Sequence, residues 1–391
     1  MFRVRFKNLT STTSIEHPIS SSKCRHSDEP KNDQWILDNG RLVSAKFIET
    51  TLTEQDLYII EKFYTWSGEP EIFDLIIYKK QYLPTAFVKA ILKLYKDKTE
   101  LKDIDGQEVN YLIAKGMLNS AYGMTVTDIV REVLSYDEDD TYHSNYDNMS
   151  DDDYVKFLNQ QIERYNTNPR RFLFYPWGVW VTAYARRNLF NGILNCGADY
   201  VYSDTDSVKI LNPNEHLEYF NNYNSLVTTK LELACDYHRI PREAIRPKNK
   251  FGKEKPLGVW DFEGIYENFK TLGAKRYLWQ KNDGSNEKDW RLTVSGVNKV
   301  SGMNYMLKQW SEMGINPFDQ FRLTLVIPKE YSGRMILSYI HDETEGDVVD
   351  YNGVPYHYHE LSSVHMEESQ YSMDTVRNFI EYLFTIREER Y

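Results

Sequence analysis

The sequence predicts an α+β fold, in which helices and antiparallel strands occupy separate stretches of the chain. Residues 178–196 form an apolar, helix-permissive run followed by Gly197, a residue type that often ends helices. The β-prone run Val201–Ile210 comes next and is interrupted by acidic residues, which predicts two strands joined by a tight turn. Further upstream, residues 53–56 form a capping pattern that opens a helix, and a second helical stretch is predicted at about 85–95.

The composition is that of an ordinary globular protein. Of the 391 residues, 41% are hydrophobic and 27% are charged, which is enough for about two or three cores. No run approaches the roughly 20 apolar residues of a membrane span, and no charged-then-apolar leader opens the chain, so we expect a cytosolic protein with no membrane partner. The three cysteines, Cys24, Cys196 and Cys235, lack Cys-x-x-Cys spacing, which predicts neither zinc nor a disulfide framework.

Two carboxylates one residue apart make the segment around Thr205 the main candidate for a catalytic site. Asp204 and Asp206 stand inside a β-prone run, where Asp is disfavoured. In an extended or tightly turned segment both carboxylates lie on one side and Thr205 on the other. Clustered carboxylates suit hard divalent cations, and two such ions about 4 Å apart can clamp the attacking and leaving oxygens of an in-line displacement. The alternative for an isolated Asp-x-Asp is a solvated turn.

Three motifs, in a matching order, connect this acidic turn to a known family. Tyr202-Ser-Asp-Thr-Asp-Ser207 resembles motif C of the family B DNA polymerases, Tyr-x-Asp-Thr-Asp-Ser, at every fixed position. Upstream, Lys115-Gly-Met-Leu-Asn-Ser-Ala-Tyr-Gly123 resembles motif B, Lys-x-x-x-Asn-Ser-x-Tyr-Gly. Downstream, Gly273-Ala-Lys-Arg-Tyr-Leu278 resembles the Lys-x-Tyr motif that contacts the primer end. The order is similar to the protein-primed phage branch over nearly the whole chain, most weakly at the N-terminus and after about Met306.

The spacing within motif B suits a nucleotide. On a helix, Lys115, Asn119 and Tyr122 lie at i, i+4 and i+7 and share one face. An ammonium group for the triphosphate, an amide for orientation and an aromatic ring beside the base and sugar match the parts of a nucleotide. The opposite face is predicted to be packed by three apolar residues, Val109, Ile113 and Met117. The alternative for Lys115 alone is an amphipathic helix with one exposed lysine.

The resemblance implies a right-hand polymerase with an incomplete antiparallel palm sheet, helical fingers and a small thumb. It implies that Asp206 coordinates the catalytic metals most directly and that Asp204 completes the cluster, with Mg²⁺ as cofactor and Mn²⁺ able to replace it. Lys115 would stabilise charge on the triphosphate, Tyr122 would stack on the nucleotide and crowd a ribose 2′-hydroxyl, and Asn119 would orient the nucleotide or template. Contacts to the primer and DNA are implied for Lys275, Tyr277 and Arg186.

One element that the resemblance leads us to expect is missing. Family members carry a 3′–5′ exonuclease domain and then motif A, Asp-x-x-Ser-Leu-Tyr-Pro, whose Asp is the other metal-binding carboxylate. The nearest candidate, Asp74, lacks the Ser-Leu-Tyr-Pro run and lies too close to Lys115; Asp261 is a strand-borne Asp whose place in the order matches a structural palm segment. A two-carboxylate site would hold magnesium poorly and place the attacking hydroxyl loosely. We therefore expect an isolated chain that is weak or inactive, from a split gene or a truncated frame that opens on Met1.

The net charge of −11 argues at first against a DNA-binding protein, because phosphate contacts need Lys and Arg. Much of the excess lies in one acidic block, residues 136–154, which we expect to be a solvated or disordered insertion. Basic residues cluster elsewhere, at Arg170-Arg171, at Arg186-Arg187 and from Arg242 through Lys255. The last cluster predicts an extended basic loop along a duplex backbone, whereas Arg186 could instead pair with acidic residues at the edge of the core.

The predicted domains are 1–84, palm edge and a terminal-protein-region-like insertion; 85–134, fingers with motif B; 135–175, acidic insertion; 176–300, palm with motif C and Lys-x-Tyr; and 301–391, thumb. The predicted function is template-directed DNA synthesis in phage genome replication, in the host cytoplasm. The expected partners are DNA primer-template, dNTPs, a separate N-terminal polymerase/exonuclease polypeptide and, if initiation is protein-primed, a terminal protein. Two alternatives stay open: a catalytically inactive DNA- or terminal-protein-binding remnant, and a subunit that docks a separate exonuclease polypeptide.

Overall fold

The computed structural model describes residues 1–26, 34–38, 40–130, 134–136, 142–146, 149–169, 174–281, 290–294, 297–322, 325–328, 331, 333–341, 348–349, 355–356, 359–368 and 371–372. The helices in these ranges are α1 (Glu54–Phe63), α2 (Thr85–Glu100), α3 (Glu108–Gly123), α4 (Asp151–Thr167), α5 (Tyr175–Cys196), α6 (Leu217–His238), α7 (Lys299–Met313) and α8 (Pro317–Gln320). None of these described helices combines the length and apolar character needed to cross a bilayer.

The strands form antiparallel pairs throughout the described ranges. In chain order they are β1 (Phe2–Ser11), β2 (Cys24–Arg25), β3 (Ile36–Asp38), β4 (Arg41–Leu52), β5 (Tyr64–Thr65), β6 (Glu71–Phe73), β7 (Leu134–Tyr136), β8 (Tyr142–Ser144), β9 (Tyr200–Asp204), β10 (Ser207–Ile210), β11 (Tyr266–Thr271), β12 (Arg276–Lys281), β13 (Trp290–Val294), β14 (Val326–Ile327), β15 (Gly333–His341), β16 (Val348–Val349), β17 (Pro355–Tyr356), β18 (His359–Glu368) and β19 (Tyr371–Ser372).

The N-terminal sheet supports the largest core. Its strands run in the order β2-β4-β1-β5, with β3 added to β4 and β6 added to β1. Inward-facing residues of the long β1–β4 pair meet in register, as Phe6 does opposite Ile48, and both are fully buried. Helices α1 and α5 cover this face, and the rings of Phe63 and Phe190 meet edge to face at 5.3 Å. The β9–β10 hairpin joins the same core through Tyr200 and Val208.

A second core lies under the three-stranded sheet β11-β12-β13. Leu278 and Leu292 from this sheet pack with Met306 of α7 and with Phe321, and all four are at most 2% exposed. Gly302 lets α7 pack closely against β13, since a Cβ at this position would lie 2.9 Å from Leu292 Cδ2. This core contains residues from both sides of the predicted palm–thumb boundary at 300/301.

Local sequence signals place several elements correctly. Helix α1 begins with a capping box in which Thr53 N donates to Asp56 Oδ2 at 3.0 Å and Asp56 N donates to Thr53 Oγ1 at 3.3 Å. Helix α5 ends before Gly197, whose φ of +52° suits glycine. The second predicted helix begins at Thr85 as expected and continues to Glu100.

The acidic block, predicted to be a solvated or disordered insertion, is helical and exposed at its C-terminal end. Residues 137–141 and 147–148 lie outside the described ranges. Asp151, Asp152 and Asp153 instead form the first turn of α4, which Ser150 caps by accepting a bond from Asp153 N at 3.2 Å. Carboxylates at a helix N-terminus interact favourably with the helix dipole, so the three aspartates help to begin a helix.

Candidate active site

The acidic turn lies at the tip of the β9–β10 hairpin, as the sequence predicts. Asp204 is the last residue of β9 and pairs with Ser207, the first residue of β10. Between them, Asp206 N donates to Asp204 O at 2.6 Å, and Thr205 has a φ of +54°. This i to i+2 bond around a left-handed residue is a γ-turn, a rare and strained conformation. Such strain concentrates at functional sites, and here it holds two carboxylate residues in one tight turn.

A second turn lies against this tip. It joins β11 to β12 and carries Lys275 with a φ of +56°. Lys275 Nζ lies 2.5 Å from both Asp204 Oδ1 and Asp204 Oδ2. The Lys275 backbone N–H donates to Tyr202 Oη at 3.1 Å. The structure therefore brings together residues of two predicted motifs, with one contact through a side chain and one through the backbone.

Aromatic packing fixes the two hairpins to each other. The ring of Tyr202 lies 5.0 Å from that of Tyr277 and 5.9 Å from that of Phe269, and the rings of Phe269 and Tyr277 stack at 5.7 Å. Burial raises the pKa of Tyr202 to about 12, so its hydroxyl stays protonated and keeps accepting the bond from Lys275. Tyr277, predicted as a primer contact, is thus also part of the support beneath the acidic turn.

The base of the hairpin carries a half-buried carboxylate, Glu16, that no motif indicated. Tyr200 Oη donates to Glu16 Oε2 at 3.2 Å and lies 3.0 Å from Ser203 Oγ. Burial raises the pKa of Glu16. Burial also lowers the pKa of its neighbour His17 to about 4. No local sequence pattern could have indicated Glu16, because it meets Tyr200 across 184 residues of chain.

The motif B residues lie on α3 with their side chains open to solvent. Lys115, Asn119 and Tyr122 are all exposed, and Lys115 Nζ lies 5.9 Å from the centre of the Tyr111 ring. The prediction that the opposite face packs is wrong, because its residues are exposed by 69%, 53% and 56%: Val109, Ile113 and Met117. Among the α3 residues, Ala114 is the buried one, and α2 is the helix that runs alongside.

Helix α5 connects the two motifs. At its start, a Cβ on Gly178 would lie 2.5 Å from Thr125 Oγ1 and closer still to Val126 Cγ1, in the short turn that follows α3. Further along, Phe190 and Ile193 join the core on which the β9–β10 hairpin packs. The motif B helix and the acidic hairpin are therefore positioned by one continuous helix.

Arg186 has a protein partner. Its guanidinium lies 2.8 Å from Asp56 Oδ1, in the capping box of α1, which is the ion-pair alternative considered for it; a contact with DNA stays a prediction. Arg187 bonds to Gln55 and lies over the ring of Tyr58 at 4.4 Å. Arg170 and Arg171 lie outside the described residues.

The basic loop after α6 is largely neutralised by its own surroundings. Arg242 pairs with Asp236 at 2.7 Å, and Arg246 pairs with Glu232. Asp261 receives both Lys253, at 3.6 Å, and Lys255. Contrary to prediction, Asp261 lies outside any strand, between β10 and β11. Few cations of this loop are left for a duplex backbone.

The donor set at the hairpin fits magnesium in part. Mg²⁺ is usually bound by one or two carboxylates, with water and substrate phosphates completing its octahedron, and Asp204 and Asp206 supply two. Within the described ranges, no group of three or more His, Cys, Asp or Glu side chains could hold a metal ion. Asp74, the weak motif A candidate, pairs instead with Arg3 Nη1 at 3.3 Å.

Comparisons with known proteins add one structural likeness. No family model and no curated protein matches this sequence. Among solved structures, the fold is similar to that of phi29 DNA polymerase complexed with primer-template DNA, with 15% sequence identity and a TM-score of 0.47. The match covers 95% of this chain and 50% of that polymerase chain, so this chain spans about half of its length.

Proposed function

We propose that this chain is the C-terminal polymerase part of a split or truncated protein-primed family B DNA polymerase, and that it takes part in phage genome replication. Its reaction would be template-directed nucleotidyl transfer from dNTPs to a primer. The observation that carries the proposal is the contact between Lys275 of the Lys-x-Tyr segment and Asp204 of the Tyr-x-Asp-Thr-Asp-Ser segment, at 2.5 Å. Two segments that lie 71 residues apart in sequence and each resemble a motif of that family meet in space, as a shared active site requires.

Each motif residue has a role that its chemistry suits. Asp206 and Asp204 would hold Mg²⁺ or Mn²⁺, which when bound supplies Lewis-acid stabilisation of the attacking and leaving oxygens. Lys115, exposed on α3, would place its ammonium group against the triphosphate. Tyr122 would stack on the incoming nucleotide and disfavour a 2′-hydroxyl, while Asn119 would orient the nucleotide or template.

The primer end would lie at the junction of the two hairpins. Lys275 can turn from Asp204 to a primer phosphate, because an ammonium group on a four-carbon stem rotates freely. Tyr277 presents its ring beside Tyr202 and would limit the position of the terminal sugar. A primer hydroxyl fixed in this way is close to the carboxylates, and positioning of this kind accounts for a large part of catalytic rate.

Primer extension tests the proposal. The purified chain is assayed with Mg²⁺ and all four dNTPs on a labelled primer-template, with and without the product of the adjacent upstream reading frame. Extension that needs the partner and is lost in Asp206→Asn is the expected result. Asp152→Asn, which removes an exposed carboxylate on α4, is the matched control and should extend normally. Absence of extension in every condition, with DNA binding retained, would contradict the enzyme and leave a binding remnant.

An exposed apolar segment favours a second candidate, a subunit that docks a separate exonuclease polypeptide. Directly after β6, Leu75, Ile76 and Ile77 are exposed by 61%, 46% and 83%. The segment lies along the edge of the N-terminal sheet, where Ile76 N donates to Met1 O at 2.8 Å. Sedimentation of the chain with the upstream product tests this: a stable complex that Ile77→Asp disrupts, without any primer extension, would favour docking alone.

A further inference from the structure

A cleft of about 590 Å³ lies between α2 and the segment that follows α6, away from the acidic hairpin residues. One wall is α2, with Lys89, Lys93 and Lys96 at i, i+4 and i+7 and therefore on one helical face. The other wall is residues 240–248, with Arg246 and Lys248. Five cations therefore border one concavity.

The walls of this cleft are held to each other. Its floor includes Leu92, which packs in one core with Cys235 and Ile245. Further along α2, Tyr95 Oη donates to Lys255 O at 3.0 Å. The backbone of both walls is thus held by a packed core and a hydrogen bond, so binding of a ligand would order only the exposed lysine side chains.

The charges of the lining residues favour an anion. Two carboxylates, Glu100 and Glu243, line the cleft together with the five cations. Arg246 is already paired with Glu232, which lies outside the lining, so a small local excess of positive charge remains in a chain whose net charge is −11. Lys93 and Lys96 make helical contacts with Asp97 at 2.7 Å and with Glu100 at 3.9 Å, and exposed pairs of this kind are weak.

Two of the five cations have no ion-pair partner among the residues that the structure describes. These are Lys89 on α2 and Lys248 on the opposite wall, and both are exposed. They face the cleft from its two sides, so an extended polyanion could contact both at once.

The lining also indicates which part of a nucleic acid would enter. No aromatic ring is among the described residues that line the cleft, so bases would find no stacking partner there. Phosphate contacts position a strand without reading its sequence. A single strand can follow a concave surface without an elastic cost, whereas bending duplex DNA over a length far below its persistence length of about 150 base pairs has such a cost.

We infer that this cleft binds the phosphodiester backbone of single-stranded DNA, with Lys89 and Lys248 as the main contacts. The inference rests on the proposed function, for which a template strand has to be held as it approaches the fingers. It adds a binding surface that none of the three motifs contains. Binding there is independent of base sequence and decreases with salt, because each phosphate contact releases condensed counterions.

Fluorescence anisotropy with a labelled single-stranded oligonucleotide of about 20 nucleotides tests the inference, since sites of this class cover about 4–16 nucleotides. Measurements are made without dNTPs or metal across a series of salt concentrations. Lys89→Gln/Lys248→Gln should weaken binding about tenfold at low salt, and the slope of log K against log salt should become shallower by about 1.4, or about 0.7 for each lost contact. Lys156→Gln/Lys230→Gln removes two exposed helical lysines elsewhere and should bind as the wild type does.

The outcomes separate the cleft from the proposed function. Lys89→Arg/Lys248→Arg keeps the charges and should restore both affinity and slope. If Lys89→Gln/Lys248→Gln binds with the affinity and salt slope of the wild type, or if the control pair loses as much affinity, the cleft is not the binding site. Neither result bears on the proposed polymerase function, which primer extension tests separately. A larger loss with blunt duplex than with single strand would also overturn the inference for the cleft. Failure of the wild type to bind any DNA would overturn both proposals, whereas Asp206→Asn should abolish extension and keep single-strand binding.

Discussion

Lys275 Nζ and the carboxylate of Asp204 form the closest contact between the two hairpins, at 2.5 Å to each oxygen. The Asp204 side chain is 19% exposed and that of Lys275 is 54% exposed, so the lysine approaches from the solvent side. Its ammonium group thus occupies a position from which a divalent cation would reach the same carboxylate. Because the ammonium group contacts both oxygens of Asp204 and would repel a second cation, Lys275 should oppose metal binding there, and this competition leads to the first prediction.

Lys275→Met should increase the affinity of the chain for Mn²⁺. A metal ion competes with the lysine for Asp204, and an exposed ion pair contributes up to about 1 kcal/mol, which corresponds to about fivefold in affinity. Electron paramagnetic resonance of free Mn²⁺ measures this without any turnover. Lys281→Met, at the exposed end of β12, is the matched control and should leave the affinity unchanged. Equal affinities for Lys275→Met and the wild type would show that the pair does not oppose metal binding.

Gly178→Ala should destabilise the protein, by about 1–3 kcal/mol, because the new methyl group overlaps Thr125 and Val126. Gly116→Ala provides the opposite case within motif B. Gly116 lies inside α3 with nothing within 4 Å of an added Cβ, so alanine there should stabilise by about 0.5–1 kcal/mol through helix propensity. Urea unfolding followed by circular dichroism measures the free energy of unfolding of both variants. If Gly178→Ala does not lower this free energy relative to the wild type, the close packing described for the start of α5 is contradicted.

Arg186 and Asp56 should be energetically coupled. The pair is part-exposed, with side-chain exposures of 44% and 12%, so a coupling energy of about 0.5 kcal/mol is expected from a double-mutant cycle of Arg186→Gln and Asp56→Asn. Unfolding free energies of the four proteins give this value. Anisotropy with primer-template DNA on the same four proteins tests the predicted DNA contact: if Arg186 reaches a phosphate, its loss weakens binding in the Asp56→Asn background as well.

His17 should make the protein less stable as the solution is acidified. It is 2% exposed, and burial lowers its pKa from 6.5 to about 4. Between those two pH values the unfolded chain binds the proton and the folded chain does not, so the free energy of unfolding decreases as pH falls from about 6.5 towards 4. The full effect is about 3 kcal/mol.

A comparison with His17→Gln isolates this contribution, because glutamine does not titrate. The stability difference between wild type and variant should shrink or change sign between pH 7 and pH 4. The raised pKa of Glu16 acts in the opposite direction, but Glu16 is present in both proteins and largely cancels. Two parallel curves of unfolding free energy against pH would show that His17 takes up its proton in the folded state as readily as in the unfolded state.

The elements that the sequence predicted are those with local signals. Three such features are present in the structure: the capping box at Thr53, the helix end at Gly197 and the acidic turn at Thr205. Each depends only on residues a few positions away in sequence. Such signals act through backbone geometry and capping hydrogen bonds. These interactions form between neighbouring residues and do not depend on the tertiary structure.

The features that could not be predicted depend on distant partners. Lys275 meets Asp204 across 71 residues, and the basic loop is neutralised by carboxylates of α6 and by Asp261. The spacing of Val109, Ile113 and Met117 defines an apolar face but does not say whether anything covers it. Periodicity records which residues share a side of a helix; the presence of a neighbour is decided by tertiary structure.

The close approach of Gly178 to Val126 has a consequence for genetics. Because α5 reaches from the turn after motif B to the core beneath the acidic hairpin, a defect caused by a larger residue at 178 should be rescued where the clash occurs. Val126→Ala removes the methyl groups that an added Cβ would meet. In a selection for restored stability of the folded protein, suppressors of Gly178→Ala are therefore expected at Val126 and Thr125 rather than among the carboxylates of the hairpin.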